Sequence, residues 1–143
     1  MPLTGGALER ANEIYAGLRF GASGAARDRT FGVLRDGRLL ALGRIQCHAD
    51  DSLEVGGFWV HENERGRGLA RRLVRHVLDA LPAGREVWCL PFEHLLPFYE
   101  SFGMQRVDCA AELPEGIRAK RSFCGAHEAE GHYAKTALLR FET

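Results

Sequence analysis

The sequence predicts one α/β domain over residues 1–143, built on a mixed sheet with helices on both faces. Three observations favour this fold class. The chain has 143 residues, a usual size for a single domain. Its first strand-like segments follow one another with only short turns between them, which is typical of antiparallel strands. Its later strand-like segments alternate with helical segments, which is typical of a sheet covered by helices.

The first half of the chain begins with a helix and continues with three strands. The predicted elements are a helix at residues 6–20 and strands at 30–34, 39–46 and 53–60. Asp36-Gly37 joins the first two strands, because these residues tolerate the positive φ angles of a tight hairpin turn. Gly56-Gly57 interrupts the third strand, and glycine inside a strand often marks a bulge.

Helices and strands alternate in the second half. The predicted elements are helices at residues 67–81, 93–102 and 114–127, and strands at 86–90, 104–109 and 133–141. Leucine and valine recur along one face of the helix at 67–81, whereas its arginines lie largely off that face. Gly103 provides a stop for the helix at 93–102, and Pro114 suits the first turn of the next helix.

Composition excludes several classes of protein. The 19 basic and 19 acidic residues give no net charge, which argues against nucleic acid as the partner. No apolar run reaches the ~20 residues that a membrane-spanning helix needs, and the glycine-rich, charged start does not resemble a signal peptide. We therefore expect a cytoplasmic protein without a membrane partner. The four cysteines are widely spaced and are expected to be free thiols (Cys47, Cys89, Cys109 and Cys124).

The loop between the third strand and the next helix has the chemistry of an anion site. Gly66 and Gly68 lie just before the helix, where backbone N–H groups lack helical partners and the helix dipole is positive. Glycine lets a phosphate approach such a backbone closely, and Arg65 and Arg67 add positive charge. The loop matches neither the Walker nor the dinucleotide-binding pattern. The glycines could also serve only as a turn and helix cap.

Arg65-x-x-Gly68-x-Ala70 resembles the Q/R-x-x-G-x-G/A signature of the GNAT superfamily of N-acetyltransferases. The resemblance implies a mostly antiparallel sheet and acetyl-CoA as cosubstrate. It also implies that the loop binds the pyrophosphate and that the preceding strand end pairs with the pantetheine arm. The implied cofactor-binding residues are Phe58, Trp59 and Val60 on the strand, and Arg65, Gly66, Arg67, Gly68, Leu69 and Ala70 in the loop.

A second motif supports the resemblance and supplies a candidate acid. The run at residues 96–104, with Tyr99 at its centre, is similar to the family's F-Y-E-x-x-G-F motif, although Met104 replaces a phenylalanine. A phenol remains protonated at neutral pH and can donate a proton to the coenzyme A thiolate as it leaves. Tyr99 is therefore the candidate catalytic acid; the alternative is a packing role beside Phe98 and Phe102.

Glu54 is the candidate general base, because the attacking amine must first lose a proton. The histone-acetylating branch of the family has a glutamate at a similar position. The alternative is a solvated carboxylate at a strand end. His48, Asp50 and Asp51 follow the neighbouring strand and are expected to be exposed turn residues, with a role in shaping the acceptor site as the alternative.

Two cysteine patterns suggest other chemistry. Cys124-x-x-His127, with His132 nearby, lacks the second ligand pair of a structural zinc site, so no metal is expected. Cys89 could act as a nucleophile, but direct transfer needs none.

We expect an acetyl-CoA-dependent N-acetyltransferase that acts on the primary amine of a small molecule by direct attack. Two alternatives remain open: a non-catalytic coenzyme A-binding sensor module, and an acetyltransferase for protein or peptide amines. A second copy of the chain, in a homodimer, is a further candidate partner.

Overall fold

The computed structural model describes residues 2–24, 27–107 and 112–143, so Cys109 lies outside the described residues. Four helices are described: α1 (Gly5–Gly17), α2 (Leu69–Asp79), α3 (Leu96–Glu100) and α4 (Glu115–Ala129). Six strands accompany them: β1 (Arg29–Arg35), β2 (Arg38–Cys47), β3 (Leu53–Val60), β4 (Glu86–Cys89), β5 (Gln105–Arg106) and β6 (Leu139–Glu142). Short 3-10 turns lie at Glu62–Glu64 and Glu93–Leu95.

The strands form one mostly antiparallel sheet in the order β1-β2-β3-β4-β6-β5. β1 and β2 are antiparallel, as are β4 with β6 and β5 with β6. β3 and β4 are parallel, and Glu54 is paired with Trp88 in their register. The mixed sheet that the sequence predicts is therefore confirmed. α2 connects β3 to β4, and parallel strands need a crossover connection of this kind, which usually contains a helix.

The chain divides into two compact units, Met1–Gln46 with Gly56–Leu81 and Cys47–Val55 with Pro82–Thr143. The core of the first unit includes Ala11, Tyr15, Leu39 and Leu42. That of the second includes Trp88, Ile117 and Leu138. The expectation of a single domain stays a prediction.

Several element boundaries agree with the sequence and have a local cause. Asp36 and Gly37 have φ angles of 51° and 75°, the left-handed turn that this dipeptide favours. β3 covers the predicted residues 53–60, and Gly57 has a φ of 62°, which marks the expected irregularity in the strand.

Other elements have bounds that differ from the predicted ones, for reasons that the hydrophobic periodicity of the sequence does not show. The predicted helix at 93–102 is a 3-10 turn followed by α3, because Pro97 has no N–H and is tolerated only in the first turn of a helix. The predicted strand at 133–141 is limited to β6. Tyr133 instead donates its N–H to the end of α4, and Thr136 donates to the Glu128 carboxylate. The predicted strand at 104–109 is limited to β5 in the described part of the chain.

None of the helices in the described ranges is both long enough and apolar enough to cross a membrane.

Candidate active site

The loop before α2 has the backbone of an anion site. Gly66 and Gly68 have φ angles of 79° and 76°, in the left-handed region that favours glycine. Gly68 is the N-cap residue of α2 and has no side chain to cap the first turn. A Cβ atom at either glycine would meet nothing within 4 Å, so the space beside the loop is open. Glycine is therefore required here for its backbone conformation, and the helix start is accessible to a ligand.

The arginines of this loop are exposed and held by nearby oxygens. Arg65 donates from Nε to the Val60 carbonyl over 3.2 Å, which folds its side chain back along the end of β3. Glu64 pairs with Arg35 at 2.7 Å and with Arg67 at 3.4 Å. A cavity of about 340 Å³ opens beside these groups, and its lining includes Arg35, Arg67 and Arg72. Three arginines therefore line a cavity next to the glycine loop.

Successive side chains at the end of β3 have different surroundings. Phe58 lies over Gly43 of β2, because a Cβ atom at Gly43 would come within 2.4 Å of the Phe58 ring. Trp59 packs against the core of the first unit and meets His61 edge to face at 6.0 Å. Phe58, Trp59 and Val60 are all half-buried. Each of the three residues therefore retains a part that is accessible to a ligand.

Tyr15 holds the irregular part of β3 and packs against Arg44; the sequence analysis singled out neither residue. The Tyr15 hydroxyl donates to the Gly57 carbonyl over 2.9 Å. Arg44 is 2% exposed, lies 4.2 Å from the centre of the Tyr15 ring, and donates to the Gly21 carbonyl and the Ser23 hydroxyl. Burial raises the pKa of Tyr15 well above its usual range, although Arg44 opposes the shift. The phenol therefore remains a donor to Gly57.

Glu54 lies in the second unit and is buried, with 4% of its surface exposed. Its Oε1 is 2.9 Å from His48 Nε2, and its Oε2 is 3.5 Å from Lys120 Nζ. Burying a carboxylate is costly unless it is paired and hydrogen-bonded, and these two contacts provide the pairing. The alternative of a solvated strand-end carboxylate is therefore wrong.

The turn before β3 positions His48. Asp51 donates its N–H to the His48 carbonyl, and His48 donates its N–H to Ser52. Asp50 accepts a hydrogen bond from the Gly116 N–H at 3.0 Å, which joins the turn to the first turn of α4. A Cβ atom at Gly116 would lie 2.4 Å from the Cβ atom of His48. Asp50 and Asp51 are exposed as expected, but His48 is half-buried and contacts Glu54.

Tyr99 and Cys89 are further buried groups of this unit, with 5% and 1% of their surfaces exposed. Burial raises the pKa of Tyr99 well above its usual range, and the neighbouring Cys89 adds to the shift. Burial also raises the pKa of Cys89, and the carboxylate of Glu54 adds to that shift. Both groups are therefore neutral at physiological pH. Tyr99 retains the proton that an acid must donate, and Cys89 is not a thiolate nucleophile.

The structure places both candidate proton-transfer residues, Glu54 and Tyr99, in the second unit, and the candidate phosphate loop in the first. Sequence reasoning missed Lys120, and it expected His48 to be exposed. Lys120 is 66 residues away from Glu54 along the chain, so no local pattern connects the two.

Comparison with known proteins identifies the family. The model of the acetyltransferase (GNAT) family matches residues 7–104. No curated protein matches the sequence significantly.

Solved structures share the fold at low sequence identity. Arabidopsis thaliana NAA60 in complex with acetyl-CoA is 15% identical, with a TM-score of 0.64, and the match covers 99% of this chain and 96% of that one. An acyl-CoA N-acyltransferase from Pseudomonas aeruginosa is 19% identical, with a TM-score of 0.61, over 93% and 85% of the two chains. N-acetylglutamate synthase from Neisseria gonorrhoeae, complexed with coenzyme A and L-arginine, is 15% identical, with a TM-score of 0.68, over 99% and 32%.

The family model spans more than half of the 143 residues and includes the glycine loop, Glu54 and Tyr99. This chain therefore belongs to the acetyltransferase (GNAT) family and is an acetyl-CoA-dependent N-acetyltransferase.

Proposed function

We propose that the enzyme acetylates the primary amine of a small molecule by direct attack of the amine on acetyl-CoA. The observation that carries this proposal is the buried carboxylate of Glu54, held between His48 and Lys120. A buried carboxylate with two fixed partners is suited to accept the proton that an ammonium group must lose.

Glu54 acts in this proposal as the general base. Its carboxylate has little contact with solvent, so the proton that it accepts must leave through a neighbouring group. His48 is hydrogen-bonded to Glu54, and its side chain is 20% exposed, compared with 5% for Glu54. In the tautomer that carries its proton on Nδ1, the imidazole can accept the proton from Glu54 on Nε2 and release the Nδ1 proton to water. His48 therefore serves as the route by which the proton reaches water, while Lys120 holds the second carboxylate oxygen.

Tyr99 assists departure of coenzyme A. As the tetrahedral intermediate collapses, the carbon–sulfur bond breaks and negative charge develops on sulfur. A buried phenol with a raised pKa keeps its proton until that charge appears and then stabilises it through a hydrogen bond. Cys89 is a neutral, buried thiol, which favours direct transfer over an acetylated cysteine intermediate.

Residues Arg65–Ala70 bind the pyrophosphate of acetyl-CoA in this proposal. The left-handed glycines and the uncapped start of α2 provide N–H groups for the phosphate oxygens. The cavity bordered by Arg35, Arg67 and Arg72 suits further phosphate groups of the cofactor, because guanidinium groups bind phosphate through paired hydrogen bonds. The end of β3, from Phe58 to Val60, supplies the contacts to the pantetheine arm.

The acceptor class is tested by incubating the enzyme with acetyl-CoA and a panel of small primary amines, amino acids and peptides with free N-termini. Thiol release gives the rate, and mass spectrometry identifies the acetylated product. We expect small amines to be modified faster than peptides. Preferential acetylation of peptides would contradict the small-molecule acceptor and would favour a protein acceptor.

Glu54→Gln tests the base, with Glu93→Gln as a matched control. Glu93 is an exposed glutamate that also pairs with a lysine, Lys135, at 3.6 Å. Loss of general base catalysis should lower kcat for Glu54→Gln about 10²-fold or more, whereas Glu93→Gln should retain the activity of the unmodified enzyme. Full activity in Glu54→Gln would show that another group removes the proton.

A further inference from the structure

Three metal-ligating side chains converge at the C-terminal end of α4. The Nδ1 atoms of His127 and His132 are 3.1 Å apart, and His132 Nδ1 is 3.2 Å from Oε2 of Glu130. The ligand atoms of all three residues lie within 4.8 Å of one another. Zinc–nitrogen bonds of about 2.0–2.1 Å in a tetrahedral site separate neighbouring ligand atoms by about 3.3 Å, which is close to the two distances observed.

The backbone at this helix end holds the three residues in place. Gly131 has a φ of 77°, the His132 N–H donates to the His127 carbonyl, and the Gly131 N–H donates to the Glu128 carbonyl. These two bonds are the Schellman motif, in which the side chains that flank the turn normally make an apolar contact. Here both of those positions are histidine. The helix end therefore brings two imidazoles together without depending on a flexible loop.

Neighbouring side chains fix the orientation of His127. Its ring is stacked on Tyr133, with centroids 4.6 Å apart and an interplanar angle of 22°, and it contacts Phe123 at 4.4 Å. These contacts set the plane of the ring, and in this orientation its Nδ1 atom lies 3.1 Å from Nδ1 of His132. Such orientation of a ligand before binding lowers the entropy cost of binding a metal ion.

Electrostatics at this helix end favour a cation. The C-terminal end of a helix carries partial negative charge, so a carboxylate is disfavoured there and a cation is stabilised. Glu130, the C-cap residue, nevertheless places its carboxylate at this end, and 63% of its side chain is exposed. A cation bound here would compensate both the carboxylate and the carbonyl groups.

We propose that His127, Glu130 and His132 form a binding site for a divalent transition metal ion. Two imidazole nitrogens and one carboxylate oxygen suit Zn²⁺ and related ions. Three protein ligands leave one position of a tetrahedral ion for water. Cys124 lies one turn earlier in α4 but is buried, and it is not part of the cluster.

The test uses the untagged 143-residue chain and calorimetric titration with Zn²⁺. We expect one equivalent to bind and the melting temperature to rise. His127→Ala, Glu130→Gln and His132→Ala should each weaken binding by at least about tenfold, since even loss of an outer-shell partner of a metal commonly costs that much. His94→Ala is the matched control, because it removes an exposed histidine of the same unit outside the cluster.

Cobalt(II) distinguishes this site from binding to thiols. We expect its absorption spectrum to lack the thiolate charge-transfer bands that cysteine ligands would produce. Metal-free melting curves identify any variant that fails to fold, and Glu130→Gln alters only an exposed side chain. Absence of saturable binding, equal affinity in Glu130→Gln, or thiolate bands in the cobalt spectrum would overturn the proposal.

Discussion

At the scale of single residues, burial rather than residue type distinguishes the groups proposed for proton transfer. The enzyme has 19 acidic residues, and Glu54 is the only one of them counted among the buried residues of the described chain. Tyr99 is buried as well, and burial is the main reason why its pKa is raised. These two positions follow from strand pairing and helix packing, so their environment could not be read from the sequence.

Tyr99→Phe should lower kcat about 10²-fold or more, because the phenol no longer donates to the departing thiolate. The affinity for acetyl-CoA should change little, since the ring and its packing remain. Steady-state thiol release together with calorimetric titration measures both quantities. Tyr133→Phe is the control, a half-buried tyrosine of the same unit. A loss of acetyl-CoA binding without a change in kcat would contradict the catalytic role.

Tyr15→Phe should destabilise the protein by about 1–2 kcal/mol, because it removes the donor to the carbonyl of Gly57. Urea denaturation of the two proteins measures this change in the free energy of unfolding. Equal stability of Tyr15→Phe and the unmodified protein would show that this hydrogen bond does not hold the irregular part of β3.

At the scale of elements, the sequence predicted turns and loops correctly wherever the backbone conformation itself requires a particular residue. Asp36-Gly37 predicted its turn, and Gly66 and Gly68 predicted the open loop before α2, because each position requires a positive φ. Elements whose bounds depend on contacts between residues far apart in the sequence were predicted less accurately. The strand expected from residue 133 is shorter because Thr136 donates a hydrogen bond to the Glu128 carboxylate. No periodic pattern in the sequence predicts this contact.

In the candidate site, too, features formed by adjacent residues could be predicted and contacts between distant residues could not. The loop could be predicted, since its residues are adjacent in sequence. The partners of Glu54 and Gly57 could not, because Lys120 and Tyr15 are separated from them by 66 and 42 residues. Two of the three proposed metal ligands, His127 and His132, were noticed in the sequence. Glu130 became a candidate only once the turn at the end of α4 was known.

The turn at residues 48–52 should become less stable in acid. Hydrogen bonds from the Ser52 hydroxyl and the Gly116 N–H lower the pKa of Asp50 to about 2. Because this folded-state pKa is lower than that of the unfolded chain, near 3.9, Asp50 contributes stability above pH ~4. That contribution is lost as the pH falls towards 2.

Urea denaturation of the unmodified protein and Asp50→Asn, at several pH values, tests this link between the turn and α4. The unmodified protein should be more stable than the variant near pH 6, and the difference should shrink as the pH falls from about 4 to about 2. Asp36→Asn, an exposed turn residue outside this contact, should not show the same trend. A stability difference between Asp50→Asn and the unmodified protein that stays constant with pH would contradict the assignment.

At the scale of the whole molecule, the residues proposed for function form two groups, and each compact unit holds one. The first unit has the glycine loop and its arginines, which suit a phosphate-rich cofactor. The second has Glu54, His48, Lys120 and Tyr99, which suit proton transfer.

Calorimetric titration with acetyl-CoA tests the account most directly. Gly68→Glu places a carboxylate where the pyrophosphate is proposed to bind, and Gly84→Glu is the matched control, since Gly84 also has a positive φ of 72° and open space around it. We predict that acetyl-CoA binds the unmodified enzyme and Gly84→Glu with one site, and that Gly68→Glu loses this binding while remaining folded. Equal affinity in all three proteins, or no binding to the unmodified enzyme, would contradict the proposed cofactor site.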